Sequence, residues 1–99
     1  MTMQFERDKF AEFIGTNFTL QLPDLEGITL ELAEVSEIRE RPHQRSFSLI
    51  LLTPEGSMLE QGLYEVVHES LGPMAFFLVP VGMDGNRMML EALFNFLKE

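Results

Sequence analysis

Ser46–Leu52 (SFSLILL) and Met74–Val81 (MAFFLVPV) decide the fold, because each segment is apolar at nearly every position. Successive side chains of an extended strand point to opposite faces. Both faces of these two segments are therefore apolar, and each needs cover on two sides. A chain of 99 residues has little mass to supply that cover. The sequence predicts that part of this surface meets another protein.

The composition indicates one globular domain, residues 1–99, with 45% hydrophobic residues and no cysteine. A domain of this length buries roughly 60–65% of its unfolded-chain surface. The absence of cysteine excludes disulfide scaffolds, zinc ribbons and thiol nucleophiles. The first ten residues carry charges where a signal peptide has its apolar core, and no apolar run is long enough to cross a bilayer. We therefore expect a cytoplasmic protein with no membrane contact.

The charge balance is acidic, with 16 Asp and Glu against 7 Lys and Arg and a net charge of −9. Such a surface repels phosphate backbones and anionic membranes, so we expect no nucleic-acid partner. The plain interpretation of the charge is solubility. The alternative is an acidic inhibitor that occupies the basic groove of a nucleic-acid-binding protein. Such inhibitors concentrate their carboxylates, whereas here they are spread from Glu6 to Glu99.

The rest of the chain predicts one helix followed by strands. Residues 5–14 place Phe10, Phe13 and Ile14 on one side and stop at Gly15, as expected of a short amphipathic helix that caps an open end of the domain. Alternating residues bounded by turn signals indicate the strands. The predicted strands are 16–22, 28–39, 46–52, 61–70, 74–81 and 87 to about 94.

Two of these segments also fit a helix. In 28–39 the strand phase changes at Leu32–Ala33, and a β-bulge there would restore the inward face. In 87–98 the periodicity favours a helix, but the preceding turn at 84–86 is a hairpin signal. We favour strands in both, with a short helical tail after Phe94 as an option. The sequence thus predicts a mainly β domain, a small antiparallel barrel or sandwich of about six strands with an N-terminal helix.

Short motifs of turn glycines and core aromatics are spread over the chain: Phe47-Ser48-Leu49, Gln61-Gly62-Leu63-Tyr64, His68-Glu69-Ser70-Leu71-Gly72, Phe77-Leu78-Val79-Pro80-Val81-Gly82 and Glu91-Ala92-Leu93-Phe94-Asn95. Together they resemble a small bacterial family known only as a domain of unknown function. Members of that family are often encoded beside proteins with phage-tail-collar-like domains, which implies a role in tail or fibre assembly. The resemblance also implies a strand over 87–95. Met89 or Leu90 stands where the family often has a tyrosine.

His68 is the best candidate for a general base, because it shares a strand face with Tyr64 and Val66. Glu69 cannot orient it, since adjacent strand residues point to opposite faces. The structural interpretation is a histidine at a strand end, held by a backbone group or by water. His43 falls in a polar turn, and two isolated histidines do not form a transition-metal site. We expect no catalytic residues, no metal and no cofactor.

The apolar excess predicts an interaction surface, since an exposed apolar patch of more than a few hundred Å² usually marks a binding site. The expected partner is another protein or a second copy of the chain. A basic cluster in 39–45 supplies two polar candidates, Arg41 and Arg45, for an acidic partner surface, with a mixed-charge turn as the plain interpretation. The apolar candidates are Ile50, Leu52, Phe76 and Leu78.

These observations predict a non-catalytic interaction or assembly module. The resemblance implies that it works in a phage-tail-like structure. The alternative is a small β-barrel that binds an apolar ligand between its sheets, which requires an enclosed cavity.

Overall fold

A computed structural model describes residues 3–21 and 28–97 of the chain. The end of the first predicted strand, at residue 22, lies outside this part. The helix is α1 (Met3–Ala11). The strands are β1 (Asn17–Leu20), β2 (Thr29–Val35), β3 (Arg39–Glu40), β4 (Gln44–Leu52), β5 (Gly62–His68), β6 (Gly72–Asp84) and β7 (Arg87–Leu97).

The strands form one antiparallel sheet that closes into a ring. Their order is β2-β1-β5-β6-β7-β4-β3, and the ring is closed by an additional pairing of β2 with β4. β2 pairs with residues 49–52 of β4, and β3 pairs with residues 45–46 along the same edge of β4. β2 and β3 therefore share one of six positions around the ring. The predicted mainly β fold, antiparallel with about six strands and an N-terminal helix, is confirmed.

Neither of the two segments that also fitted a helix is helical. In 28–39 the strand β2 ends at Val35 and β3 begins at Arg39, and 87–97 is the single strand β7. The register between β2 and β4 shifts between Leu32 and Glu34, which is the predicted bulge. β7 pairs with β4 from Met89 to Leu97, so the optional helical tail after Phe94 is wrong. Pairing along a whole neighbouring strand outweighs local helical periodicity, because it supplies every residue with backbone hydrogen bonds and packing partners.

The core fills the inside of the ring. The register of β4 with β7 shows how it is divided, since Phe47 lies opposite Phe94 at one end and Leu51 lies opposite Leu90 at the other. Aromatic side chains thus collect at one end of the ring and aliphatic side chains at the other. The largest fully buried side chains are those of Phe18, Leu30, Leu32, Phe47, Leu49, Leu51, Leu78 and Leu90.

Helix α1 covers the aromatic end of the ring, as expected. The Phe10 ring lies 5.7 Å from Phe94, 6.2 Å from Phe76 and 6.3 Å from Phe47, measured between centroids. The helix ends at Ala11, three residues earlier than predicted, and Ile14 is exposed.

A buried part of Arg7 ties this helix to the segment between β2 and β3. Its Nε donates to the carbonyl oxygen of Ser36 at 3.0 Å, and its Nη2 lies 3.1 Å from Glu37 Oε1. The side chain of Arg7 is only 17% exposed, so these bonds are partly shielded from water. Helix α1 is therefore held by polar contacts on one side and by Phe10 on the other.

Candidate functional site

Three of the four apolar residues expected at an interface lie inside the protein. Leu52, Phe76 and Leu78 are 7%, 3% and 0% exposed. Burial within their own chain leaves these side chains no surface to offer a partner, which corrects that assignment. Ile50 is half-buried. For Phe76 and Leu78 the reason lies in the phase of β6, which turns these two side chains into the ring and leaves Phe77 outside.

The two arginines expected at an interface lie in and beside the turn between β3 and β4. Arg41 is exposed, and its backbone N–H donates to the carbonyl of Gln44 at 2.8 Å. Arg45 Nε lies 2.7 Å from Glu40 Oε1, and both side chains are about half exposed. An exposed pair of this kind contributes about 0–1 kcal/mol to stability. Arg45 is also paired in register with Phe96 of β7.

β6 and β7 pair over only part of their lengths. Their pairing runs from Asp84 and Arg87 at the hairpin to Leu78 and Ala92, where it stops. Beyond that point, residues 72–77 of β6 pair with β5, and residues 93–97 of β7 pair with β4. Within the described residues, no strand pairs with the two edges that face each other here. Each edge therefore carries backbone N–H and C=O groups without a strand partner.

The gap between these edges opens into a cleft of about 530 Å³, which we call the phenylalanine cleft. Its volume lies in the range of about 300–1,000 Å³ that is typical of ligand pockets. α1, β4, β6 and β7 all contribute to it, together with Leu71 from the turn before β6. The aromatic residues that line it are Phe5, Phe10, Phe47, Phe76, Phe94 and Phe96.

Contacts between rings hold the walls of the cleft in place. Phe47 and Phe94 stack with centroids 5.0 Å apart and planes at 17°, and Phe76 meets Phe94 edge-on at 5.9 Å. Phe10 of α1 contacts both Phe76 and Phe94. Aromatic pairs of this kind contribute about 0.5–1.5 kcal/mol each beyond the area that they bury. The cleft is therefore preformed, with walls that need no ligand to order them.

Charged side chains lie at one wall of the cleft, on α1. Glu6 and Lys9 both line it, and Lys9 Nζ lies 6.0 Å from the centroid of the Phe5 ring. An ammonium at this distance from an aromatic ring is weakly attracted to it. The rest of the lining is apolar, apart from backbone groups.

Apolar side chains also flank the mouth of the cleft on the outside of the ring. Phe77 and Leu93 are the first residues beyond the last β6–β7 pair, and they are 50% and 49% exposed. Leu63 of β5 lies directly opposite Phe77 and is 71% exposed. Sequence reasoning missed these three residues, because the pattern of β6 is apolar in both phases. Only the partner strands decide which phase faces outward.

His68 has a structural role in the fold. The backbone N–H groups of Ser70 and Leu71 donate to its Nδ1 at 3.0 and 3.2 Å. The proton of the neutral ring is therefore on Nε2, which lies 2.9 Å from Thr16 Oγ1. The Thr16 hydroxyl in turn donates to the carbonyl of Phe13 at 2.6 Å. Both ring nitrogens are thus occupied, as the structural interpretation of a strand-end histidine predicts.

The described part of the chain has neither a metal-binding cluster nor a membrane-spanning helix. No group of three or more His, Asp or Glu side chains is placed there to hold a metal ion. None of its helices has the length and apolar character needed to span a membrane.

Comparison with known proteins identifies a family. The model described as "Domain of unknown function (DUF6916)" matches residues 5–94. The match includes most of α1, β1 to β6 and most of β7, and with them all residues of the phenylalanine cleft except Phe96. No curated protein and no solved structure matches the chain. The expected resemblance to a domain-of-unknown-function family is confirmed.

Proposed function

Because the chain belongs to the DUF6916 family, whose function is unknown, we propose from the cleft itself that it is a non-catalytic interaction module for a protein partner. The observation that carries the proposal is the coincidence of three features at one place. Unpaired strand edges, an open cleft lined by phenylalanines and exposed apolar residues at its mouth all lie between β6 and β7.

Apolar surface supplies the driving force for binding. Burying a side chain such as Phe or Leu contributes about 1.5–3 kcal/mol relative to full exposure. Phe77 and Leu93 are about half exposed and Leu63 is more exposed, and Phe5 and Phe96 add apolar area at the rim. Aromatic residues are enriched at protein interfaces, and a few of them usually dominate the binding energy. A partner that covers this mouth therefore gains several kcal/mol before polar contacts are counted.

We further propose that the module serves in a phage-tail-like assembly in the bacterial cytoplasm. The support for this context is the family resemblance, since members are often encoded beside phage-tail-collar-like proteins. A preformed cleft on a small rigid ring suits an assembly role, because little entropy is lost on ordering the binding surface.

The test compares capture by two surface variants. The double variant Phe77→Ser, Leu93→Ser alters the mouth of the cleft, and Met58→Ser is the matched control, because Met58 is 69% exposed in the loop after β4. Each tagged protein is incubated with extract from the native host, and bound proteins are identified by mass spectrometry and then purified for binary titration. We expect a partner that binds wild type and Met58→Ser but binds the double variant at least tenfold more weakly.

Two outcomes contradict the proposal. One is a purified partner that binds the double variant as tightly as wild type. The other is a wild-type protein that is strictly monomeric in sedimentation and captures nothing from the host extract.

A second function is favoured by the volume and lining of the cleft. An apolar small molecule, such as a fatty acid or an aromatic compound, matches about 530 Å³ of space lined by phenylalanines. The cleft lies at the aromatic end of the ring and not between two sheets, so the site differs from the enclosed cavity that the sequence suggested. Its test is a thermal-shift titration with such compounds, in which a concentration-dependent rise in Tm supports this function and an unchanged Tm removes it.

A further inference from the structure

We propose that the partner binds as an added β-strand: an extended apolar segment, flanked by Lys or Arg, pairs with the edge of β6 at residues 74–77. This inference rests on the proposed interaction function and specifies the conformation and chemistry of the partner. It follows from how β6 and β7 face the cleft, from which side chains surround the gap, and from the charge of the protein.

The added strand pairs with the edge of β6 that faces the cleft. Three consecutive residues of β6, Met74, Ala75 and Phe76, line the phenylalanine cleft. Consecutive side chains of a strand point to opposite faces, so a cavity that reaches all three runs along the backbone edge. β7 lines the cleft with alternate residues, Phe94 and Phe96, and so presents one side-chain face. Backbone pairing is therefore available along β6, and apolar contact is available along β7.

The unpaired backbone groups select an extended segment over other apolar ligands. Residues 72–77 of β6 pair with β5 on one edge, and no described strand pairs with their other edge. The four residues 74–77 span about 14 Å at 3.4 Å per residue. A peptide strand of that length supplies hydrogen bonds along the whole edge, whereas a fatty acid has polar atoms only at its carboxylate end and an aromatic hydrocarbon has none. Addition of a strand to an open sheet edge is an established mode of peptide recognition.

The surroundings of the gap determine the side chains of the added segment. Side chains on its inner face meet Phe10 and Phe94, whose rings are 5.7 Å apart at the floor of the cleft. Side chains on its outer face lie between Phe77 and Leu93, which are both about half exposed. The segment is therefore apolar on both faces, with large side chains at alternate positions directed inward.

Charge complementarity determines the flanks of the segment and disfavours a second copy of the chain. The protein carries a net charge of −9. Glu6 and Lys9 of α1 both line the cleft, so their charges offset each other, and exposed Glu65 of β5, opposite Ala75 of β6, adds a negative charge. Two copies of this chain that paired edge to edge would bring like charges together, whereas Lys or Arg flanks are attracted to them. Binding should therefore weaken as salt concentration rises.

The test uses synthetic peptides and the intact protein. The parent peptide alternates Val and Phe over seven residues and carries two Lys at each end. Two matched peptides have the same sequence with backbone N-methyl groups, one at the odd and the other at the even positions of the seven. Because alternate N–H groups of a strand point to opposite edges, only one N-methylated set blocks pairing with β6. We expect the parent and one N-methylated peptide to bind, and the other to bind at least tenfold more weakly.

Amide hydrogen exchange locates the binding. We expect the parent peptide to slow exchange in residues 74–77 and to leave residues 48–52 of β4 unchanged. Phe77→Ser should weaken parent-peptide binding, and Met58→Ser should not.

Three results would overturn the inference. If both N-methylated peptides bind like the parent, the cleft takes apolar groups without strand pairing, and the proposed interaction function stands without this mode. If no peptide binds, but the double variant Phe77→Ser, Leu93→Ser loses binding of a host partner, that partner binds in another conformation. If the protein sediments as a dimer that Phe77→Ser dissociates, the occupant of the edge is a second copy.

Discussion

β4 and β6 have the same apolar character in the sequence and different surroundings in the fold. β4 is buried on both faces, since Ser46, Phe47, Ser48, Leu49, Leu51 and Leu52 are all buried. β6 is buried on one face, with Phe76 and Leu78 inside and Phe77 and Val81 half exposed. A strand that is apolar on both faces therefore does not by itself indicate an interface.

Neighbours on both edges and small outward residues explain the burial of β4. It pairs with β7 on one side and with β2 and β3 on the other. The segment between β2 and β3 extends this second edge, since Ser36 N–H donates to the Ser48 carbonyl at 2.8 Å and Ser48 N–H donates to Ser36 Oγ at 2.9 Å. On the outer face, Arg39 Nη2 lies 3.5 Å from Ser48 Oγ. β6 has a neighbour on one edge only over residues 72–77 and a phenylalanine on its outer face. The surface available to a partner therefore lies at β6.

The largest expected effect comes from removing a buried side chain of β4. Leu49→Ala removes a side chain that is 0% exposed and leaves a cavity, so it should lower the free energy of unfolding by about 2–5 kcal/mol. Phe77→Ala is the matched change on β6 and should cost less than about 1 kcal/mol, because the ring is half exposed. Urea unfolding followed by circular dichroism measures both. Equal losses would show that the two strands are buried alike.

The next effect concerns the Phe10 side chain, which holds α1 over the aromatic end of the sheet. Phe10→Ala removes aromatic contacts with Phe47, Phe76 and Phe94 and should lower the unfolding free energy by about 2–3 kcal/mol. Hydrogen exchange should accelerate in residues 72–77 and 93–97, which face the cleft, and stay slow in β4. Uniform acceleration through the whole sheet would contradict a separate role for the open end.

A smaller effect tests the edge of β4 that bonds the segment between β2 and β3. Ser36→Ala removes the acceptor of the Ser48 N–H bond and leaves that partly buried donor without a partner, which should cost about 1–2 kcal/mol. Ser70→Ala is the control, because Ser70 is exposed and only its backbone N–H takes part in a described hydrogen bond. Thermal unfolding compares the two. A Ser36→Ala variant as stable as the control would mean that water replaces the serine hydroxyl at this edge of β4.

The smallest effect depends on pH and concerns α1, which forms one wall of the cleft. Hydrogen bonds from Arg7 and from Gln4 hold the pKa of the Asp8 carboxyl below its ordinary value of 3.8. A carboxyl whose pKa is lowered by folding stabilises the protein above the unfolded-state pKa, and this contribution is lost as the pH falls through the lowered value. Asp8→Asn should therefore lower Tm slightly at pH 7, and the difference from wild type should shrink as the pH falls below the ordinary value of 3.8. A greater loss of Tm at low pH than at pH 7 would contradict this prediction.

Local pattern was sufficient to predict most of the secondary structure. Each predicted strand is present, the bulge between Leu32 and Glu34 lies at the predicted change of phase, and the helix covers one end of the ring. Alternation, turn residues and a change of phase are properties of a few neighbouring residues, so they can be read along the chain. The same is true of His68, whose place at a strand end predicted a structural role.

The phase of β6 and the gap beside it depend on the tertiary structure. Phe76 and Phe77 are equivalent in the sequence, and only the pairing of Tyr64 with Phe76 turns one ring inward. Pairing of β6 with β7 stops at Leu78 and Ala92, and no local feature marks that point. The sequence by itself determined the strands and an excess of apolar side chains. Contacts between residues far apart in the chain decided which of those side chains are buried, because burial depends on neighbours that only the closed ring brings together.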